Sequence, residues 1–275
     1  MAEKSKIAWT DATWNPWSGC TPVSEGCDHC YMYREKRQFG QDPFAVVRSS
    51  DKTFYAPLKW EDPRFVFACS WGDFFHPAAD AWRPEAWDVI RQCPQHTWLL
   101  LTKRPELVAA RLPDDWPYPH VALGITAENQ RRFDECAYEI LAVPAALHFL
   151  SGEPLLGPVN TAIEGDIARR LAALGHLGNF DWYIVGSESG PGARPTHPDW
   201  VRALRDQAVA AGVPFNFKQW GESIPVGQQM ANGVIVRRHG DDEFVLVGKK
   251  NAGRYLDGEI WDERPAPLGC KGGPI

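Results

Sequence analysis

The chain has 275 residues, 44% hydrophobic and 23% charged, at a net charge of −6. Those figures fit a globular protein of one large domain or two small ones, and they exclude a chain-wide polyanion binder. No apolar run nears the ~20 residues of a membrane span, and the N-terminus MAEKSKIAWTDATW lacks a secretory apolar stretch, so a cytoplasmic protein is expected.

A first strand is predicted near Ile7–Thr13, followed by a cysteine-bearing loop and a helix near His29–Phe39. Short apolar runs then recur: FVFACS (65–70), HTWLLLTKR (96–104), HVALGIT (120–126), LHFLSGEP (147–154), DWYIVGSESG (181–190) and PFNFKQWG (214–221). Their continuous apolar character predicts strands buried on both faces, as in parallel sheets. Helical patterns lie between them at 84–93, 128–142, 163–176 and 197–212, the last opening near Pro198 and ending at Gly212. The alternation predicts a partial or complete parallel (β/α) barrel over residues 1–222, with an open doubly wound sheet as the alternative. Residues 223–275 are expected to pack on it as a C-terminal extension with a hairpin at 233–248 around HGDDE.

Seven cysteines is an odd number, and four of them (Cys69, Cys93, Cys136, Cys270) are scattered, which is not a secreted disulfide framework. Cys20, Cys27 and Cys30 stand apart in WNPWSGCTPVSEGCDHCY, spaced C-x6-C-x2-C. Three clustered thiols can hold a metal centre and leave one position open, as a reacting site requires. Thiolates serve zinc and iron–sulfur clusters alike, and spacing does not choose between them. His76 is a conceivable distant fourth ligand. The strand ends are also unusually polar: Asp73 and His76, Lys103 and Arg104, Glu128 and Asn129, Ser151 and Glu153, Ser187, Glu188 and Arg194, then Lys218, Gln219 and Glu222. Glu153 and Glu188 follow apolar strands directly, where an unpaired carboxylate is costly.

The blocks TWNPWSGCTPVSEGCDHCY, SWGDFFH, LLTKRPE, LGITAENQ, FLSGEPLLGPV, IVGSESGPGARPTHPDWVR and FKQWGE together resemble a phage- and prophage-associated family of uncharacterised proteins grouped with the radical S-adenosylmethionine (radical SAM) enzymes. The likeness runs from about Trp9 to Pro265. It implies a barrel of the radical SAM type. Cys20, Cys27 and Cys30 would hold a [4Fe–4S] cluster whose remaining iron takes SAM. Reductive cleavage of SAM would then give a radical that abstracts hydrogen from a substrate. It also implies an external electron donor of the flavodoxin or ferredoxin type and, by kinship with a DNA-photolesion lyase, a nucleic-acid or nucleotide substrate to be modified or repaired. The first gap is three residues longer than the superfamily's common C-x3-C-x2-C. His29 stands where an aromatic residue often precedes the third cysteine, beside the adenine. Glu153 is similar to a glycine–glutamate strand end that holds the SAM amino group. Ser187, Glu188 and Arg194 are further SAM or substrate contacts, and Glu153, Glu188 and Lys218 are the candidate catalytic residues. A local basic groove would draw on Lys103, Arg104, Arg131, Arg132 and Arg194. The competing expectations are a zinc-stabilised, non-catalytic phage-encoded binding protein, and a metal-dependent hydrolase using Asp73, His76 and Glu153.

Overall fold

The apolar runs pair side by side in chain order. In the computed structural model, which describes residues 3–175, 179–237 and 243–269, seven strands form one sheet: β1 (Ala12–Trp14), β2 (Phe65–Ala68), β3 (Thr97–Thr102), β4 (Val121–Thr126), β5 (Leu147–Gly152), β6 (Trp182–Val185) and β7 (Phe215–Phe217). Each is parallel to the next. The order never reverses, so the sheet is not doubly wound. β1 and β7 stand at its two ends, which makes it an open half-barrel. Helices α1 (Tyr31–Gln38), α2 (Arg83–Gln92), α3 (Gln130–Leu141), α4 (Gly165–Ala173) and α5 (Pro198–Ala211) lie in the connections.

Local chemistry sets the helix ends. Asn129 caps α3 by accepting from the Arg132 N–H at 3.1 Å. Pro198 occupies the first turn of α5, and Gly212, at φ 67°, stops it in the left-handed conformation. No α-helix joins β3 to β4. Pro105, Pro113, Pro117 and Pro119 punctuate that stretch, which holds only the short 3₁₀ turns Pro105–Leu107 and Ala109–Arg111.

Period-two alternation divides the strands between two cores. Val66, Trp98, Leu100, Leu123, Ile125 and Val185 share a cluster with helix residues Trp87, Ile90, Phe133, Ile140 and Leu204. On the other face Phe65, Phe67, Leu99, Ala122, Phe149, Trp182 and Ile184 fill the half-barrel around Trp9. Burying side chains of this size contributes about 1.5–3 kcal/mol each, which is why both faces read as apolar in the sequence. Gly124 is required here: a Cβ would fall 2.5 Å from the Phe149 ring.

β1 starts later than the sequence suggests. Thr10 Oγ1 and the Asp11 N–H both donate to the Phe65 carbonyl (2.8 and 3.0 Å) and the Asp11 carboxylate accepts from the Phe65 N–H (2.9 Å), so side chains share in holding this stretch, and Trp9 turns inward. The expected hairpin at 233–248 does not form as drawn. Phe244–Leu246 pairs antiparallel with Ser223–Pro225 instead, and the expected turn falls largely on residues outside the described ones. The tail then runs alongside β7, where Phe217 N–H donates to the Trp261 carbonyl at 2.8 Å. It continues to the start of β1, where Arg264 pairs with Asp11 at 2.9 Å. It thereby covers a sheet edge that would otherwise be exposed. Among the described residues no helix is long and apolar enough to cross a membrane.

Candidate functional site

A parallel sheet brings all its strand carboxyl ends to one rim. Counting on by two from the inward residues of β3, β4, β5 and β7 reaches Lys103, Glu128, Glu153 and Lys218. The structure joins them across neighbouring connections. Lys103 Nζ lies 2.5 Å from Glu128 Oε1, and Lys218 Nζ lies 2.8 Å from Glu153 Oε1. Trp9 Nε1, rising from the apolar floor, donates to Glu153 Oε2 at 3.1 Å. Glu128 is fully buried, so its pairing with Lys103 is what makes its charge tolerable there.

The loop after β1 lies over this rim. Cys20, Cys27 and Cys30 share one small cluster with Met32, Tyr33 and Trp71. Ser24 Oγ donates to Glu128 Oε1 (2.5 Å) and Asn129 Nδ2 to Glu25 Oε1 (2.5 Å). Arg104 Nη1 donates to Cys20 Sγ at 3.4 Å and to Asp73 Oδ2 at 3.2 Å. Burial, reinforced by Asp73, pushes the Cys20 thiol up to about 11 although Arg104 pulls the other way, and burial also raises Cys30. Cys20 and Cys30 are therefore neutral near pH 7 in the absence of a cation, and a metal would draw them into thiolate form. Among the described residues no group of three His, Cys, Asp or Glu side chains is arranged to hold a single metal ion. An iron–sulfur cluster spreads its thiolates over several irons, so it asks for soft donors around a shared space. Cys20, Cys27 and Cys30 are soft donors that share one small packed cluster beside the rim.

A second corner is built from the loop after β6. Glu188 accepts from Arg194 N (2.9 Å), Nε (3.0 Å) and Nη2 (2.6 Å), and His29 Nδ1 lies 3.0 Å from its Oε2. Burial alone would raise this carboxyl, but the Arg194 bonds outweigh it and hold it below the usual range. Arg194 also donates to the Glu25 carbonyl at 2.8 Å, which ties the corner to the cysteine loop. Glu222 accepts from the backbone N–H groups of Gly190 (2.8 Å) and Lys249 (3.2 Å), and so joins this loop to the C-terminal segment. Ser151 Oγ, Ser187 Oγ, Gln219 Oε1 and the Asn216 amide are buried at the ends of β5, β6 and β7 without hydrogen-bond partners. Buried polar groups are normally satisfied, so these are places where a polar ligand or water gains contacts.

The expected site residues thus fall into three groups: the cysteines, the Glu153–Lys218 pair, and Glu188 with Arg194, His29 and Ser187. The basic residues behave differently from a groove. Lys103 pairs with Glu128, Arg104 with Asp73, Arg131 with Glu25 and Glu135, Arg132 with Glu135, and Arg194 with Glu188. All five are matched by carboxylates. His76 does not reach toward the sulfurs. Its Nδ1 accepts from the Ala78 N–H (3.2 Å) and its Nε2 lies 3.1 Å from Thr21 Oγ1. Asp73 is spent on Thr102, Arg104 and the backbone N–H groups of Phe75 and Lys103, so it is no free metal ligand or base. Glu128 stands at a strand end as the sequence suggests, but Trp9, Thr21 and Ser24 have no sequence signal that would mark them as parts of the site.

A family model described as a protein of unknown function (DUF5131) matches residues 4–265. The chain belongs to this family. No curated protein matches this DUF5131 chain significantly. A solved structure, a spore photoproduct lyase complexed with dinucleoside spore photoproduct, overlaps it with a TM-score of 0.38 at 11% identity, over 75% of this chain. The DUF5131 chain spans 63% of that protein's length.

Proposed function

We propose that this protein is a radical SAM enzyme in which Cys20, Cys27 and Cys30 hold a [4Fe–4S] cluster. The observation that carries the reading is the gathering of three thiols in one small side-chain cluster over the polar rim of a parallel half-barrel. The donors suit the group: all are sulfur, and three ligands leave one position for a substrate. When bound, such a cluster supplies the electron that cleaves SAM reductively, the electron coming from a flavodoxin- or ferredoxin-type donor.

The residues around it have assignable parts. Glu153, oriented by Trp9 and partly neutralised by Lys218, offers an inward carboxylate to the amino group of SAM. Arg194 and Glu188 present both signs of charge beside the loop, suited to a carboxylate and to hydroxyl groups. His29 sits against Glu188 next to Cys30, and Ser187 adds a buried hydroxyl without a partner. The Trp9–Phe149 floor keeps water from entering from below. Lys218 stands where the reacting part of a second substrate would meet the rim. Because the nearby cations are paired, a nucleotide or a local nucleic-acid contact suits the surface better than an extended duplex, which needs many neutralised phosphates.

The test is anaerobic reconstitution with iron and sulfide, then addition of SAM and dithionite and chromatography for 5′-deoxyadenosine. The wild type is expected to form it and Cys20→Ala, Cys27→Ala and Cys30→Ala to form none. Iron-loaded wild type that yields none contradicts the reading, as does anaerobically purified protein carrying stoichiometric zinc.

A further inference from the structure

The long first gap of the cysteine motif, Thr21–Gly26, is the part of the loop gripped by the strand ends. Arg104 is only 5% exposed. Besides its Nη1 bonds to Cys20 Sγ and Asp73, its Nη2 donates to the Thr21 carbonyl (2.6 Å) and to Thr21 Oγ1 (2.9 Å). Asp73 is itself fixed, accepting from Thr102 Oγ1 at 2.9 Å and from the Lys103 N–H at 3.2 Å. His76 braces the same Thr21 hydroxyl from the other side. The guanidinium cannot swing off the sulfur without breaking several of these contacts. Among the described residues Cys20 is distinguished by this cationic donor; the side-chain neighbour of Cys27 is the neutral Ser24 hydroxyl, 3.9 Å from its sulfur.

Resting on the cluster reading above, we infer that Arg104 is a positioning residue that holds Cys20 and sets the reduction potential of the cluster bound there. Reduction adds one negative charge to the centre. A fixed cation donating to one ligand sulfur favours that reduced state, and hydrogen bonds to sulfur are a main determinant of cluster potential. Thr102 and His76 act through Asp73, Arg104 and Thr21, keeping the cation aimed at the sulfur; Asp73 both anchors the guanidinium and partly offsets its charge at Cys20.

The experiment is an EPR-monitored redox titration of reconstituted wild type, Arg104→Met and Arg104→Lys, with iron content and circular dichroism measured on each. Arg104→Met is expected to keep its iron and to hold at least tenfold less reduced cluster at a fixed solution potential, a fall of about 59 mV for a one-electron couple. Arg104→Lys keeps the charge and should recover much of the shift, though not the forked contact with Thr21. Should Arg104→Met fail to fold, Thr21→Val removes one anchor while leaving the cation, and a smaller shift in the same direction is expected. An iron-replete Arg104→Met, or failing it Thr21→Val, with the wild-type midpoint overturns the inference and leaves the cluster reading standing. Wild type that takes up no iron overturns both.

Discussion

Gly26→Ala tests whether the cysteine loop is seated on Glu128. A Cβ at position 26 would lie 2.1 Å from Glu128 Oε1 and 2.5 Å from its Cγ, so the carboxylate has to move by about 1 Å. It has nowhere easy to go, being fully buried and held by Ser24 and Lys103 at 2.5 Å each. Overpacking of this kind costs about 1–3 kcal/mol. Loosening the two charged hydrogen bonds adds about 1 kcal/mol more, for a total near 2–4 kcal/mol. The backbone at Gly26 is not left-handed, so alanine itself is not strained there. In a Glu128→Ala background the same substitution should therefore be close to neutral, or stabilising by up to about 1 kcal/mol through the unfolded chain. Urea denaturation of the four proteins of this cycle measures the coupling, expected at about 2–5 kcal/mol from the difference between the two backgrounds. Additive effects, or a Gly26→Ala protein as stable as wild type, would refute the contact.

Three further outcomes follow from the structure. Gly124→Ala drives a methyl into the Phe149 ring and should cost about 1–3 kcal/mol in the same melts, while Phe149→Leu should relieve most of that. Arg194→Ala removes the guanidinium and leaves Glu188 only the backbone N–H of residue 194 and His29 against burial, so its carboxyl rises. The variant's deficit, about 2–4 kcal/mol at pH 7, should shrink as pH falls toward 4 and the carboxyl protonates, which melts across pH will reveal. Asp257 behaves in the same sense, more strongly. Hydrogen bonds from Arg202, with Gln228 and Arg205, overcome burial and hold its carboxyl well below the usual range, so its contribution is present above pH ~4 and lost as pH falls through the depressed value. Asp257→Asn tolerates the local φ of 55° and should cost about 1 kcal/mol at pH 7, discounted for partial exposure, with the cost vanishing only in strong acid.

The strands of the half-barrel were legible because both their faces are buried, and a run such as WLLL or VALGI has no other explanation at that length. The exception, β1, is short where the Thr10 and Asp11 side chains take up part of the bonding to Phe65, which no hydropathy pattern records. The C-terminal segment does carry small antiparallel hairpins, but Phe244–Leu246 has two candidate partners in sequence and the distant one, Ser223–Pro225, wins. Within the site, residue types were readable and pairings were not. Lys103, Glu128, Glu153 and Lys218 all stand out at strand ends, but which carboxylate neutralises which cation depends on the order of strands in space. The supposed groove illustrates the point, since each of its basic residues carries a carboxylate partner supplied by another element or by the next helical turn.

The central claim is that Cys20, Cys27 and Cys30 bind one iron–sulfur centre with an open position. Iron and sulfide analysis of anaerobically reconstituted protein, joined to EPR of the reduced form with and without SAM, measures it directly. About four irons and four sulfides per chain, with a signal that changes when SAM is added, is the predicted result. Protein that stays colourless, or whose iron signal is indifferent to SAM and survives Cys20→Ala, would contradict it.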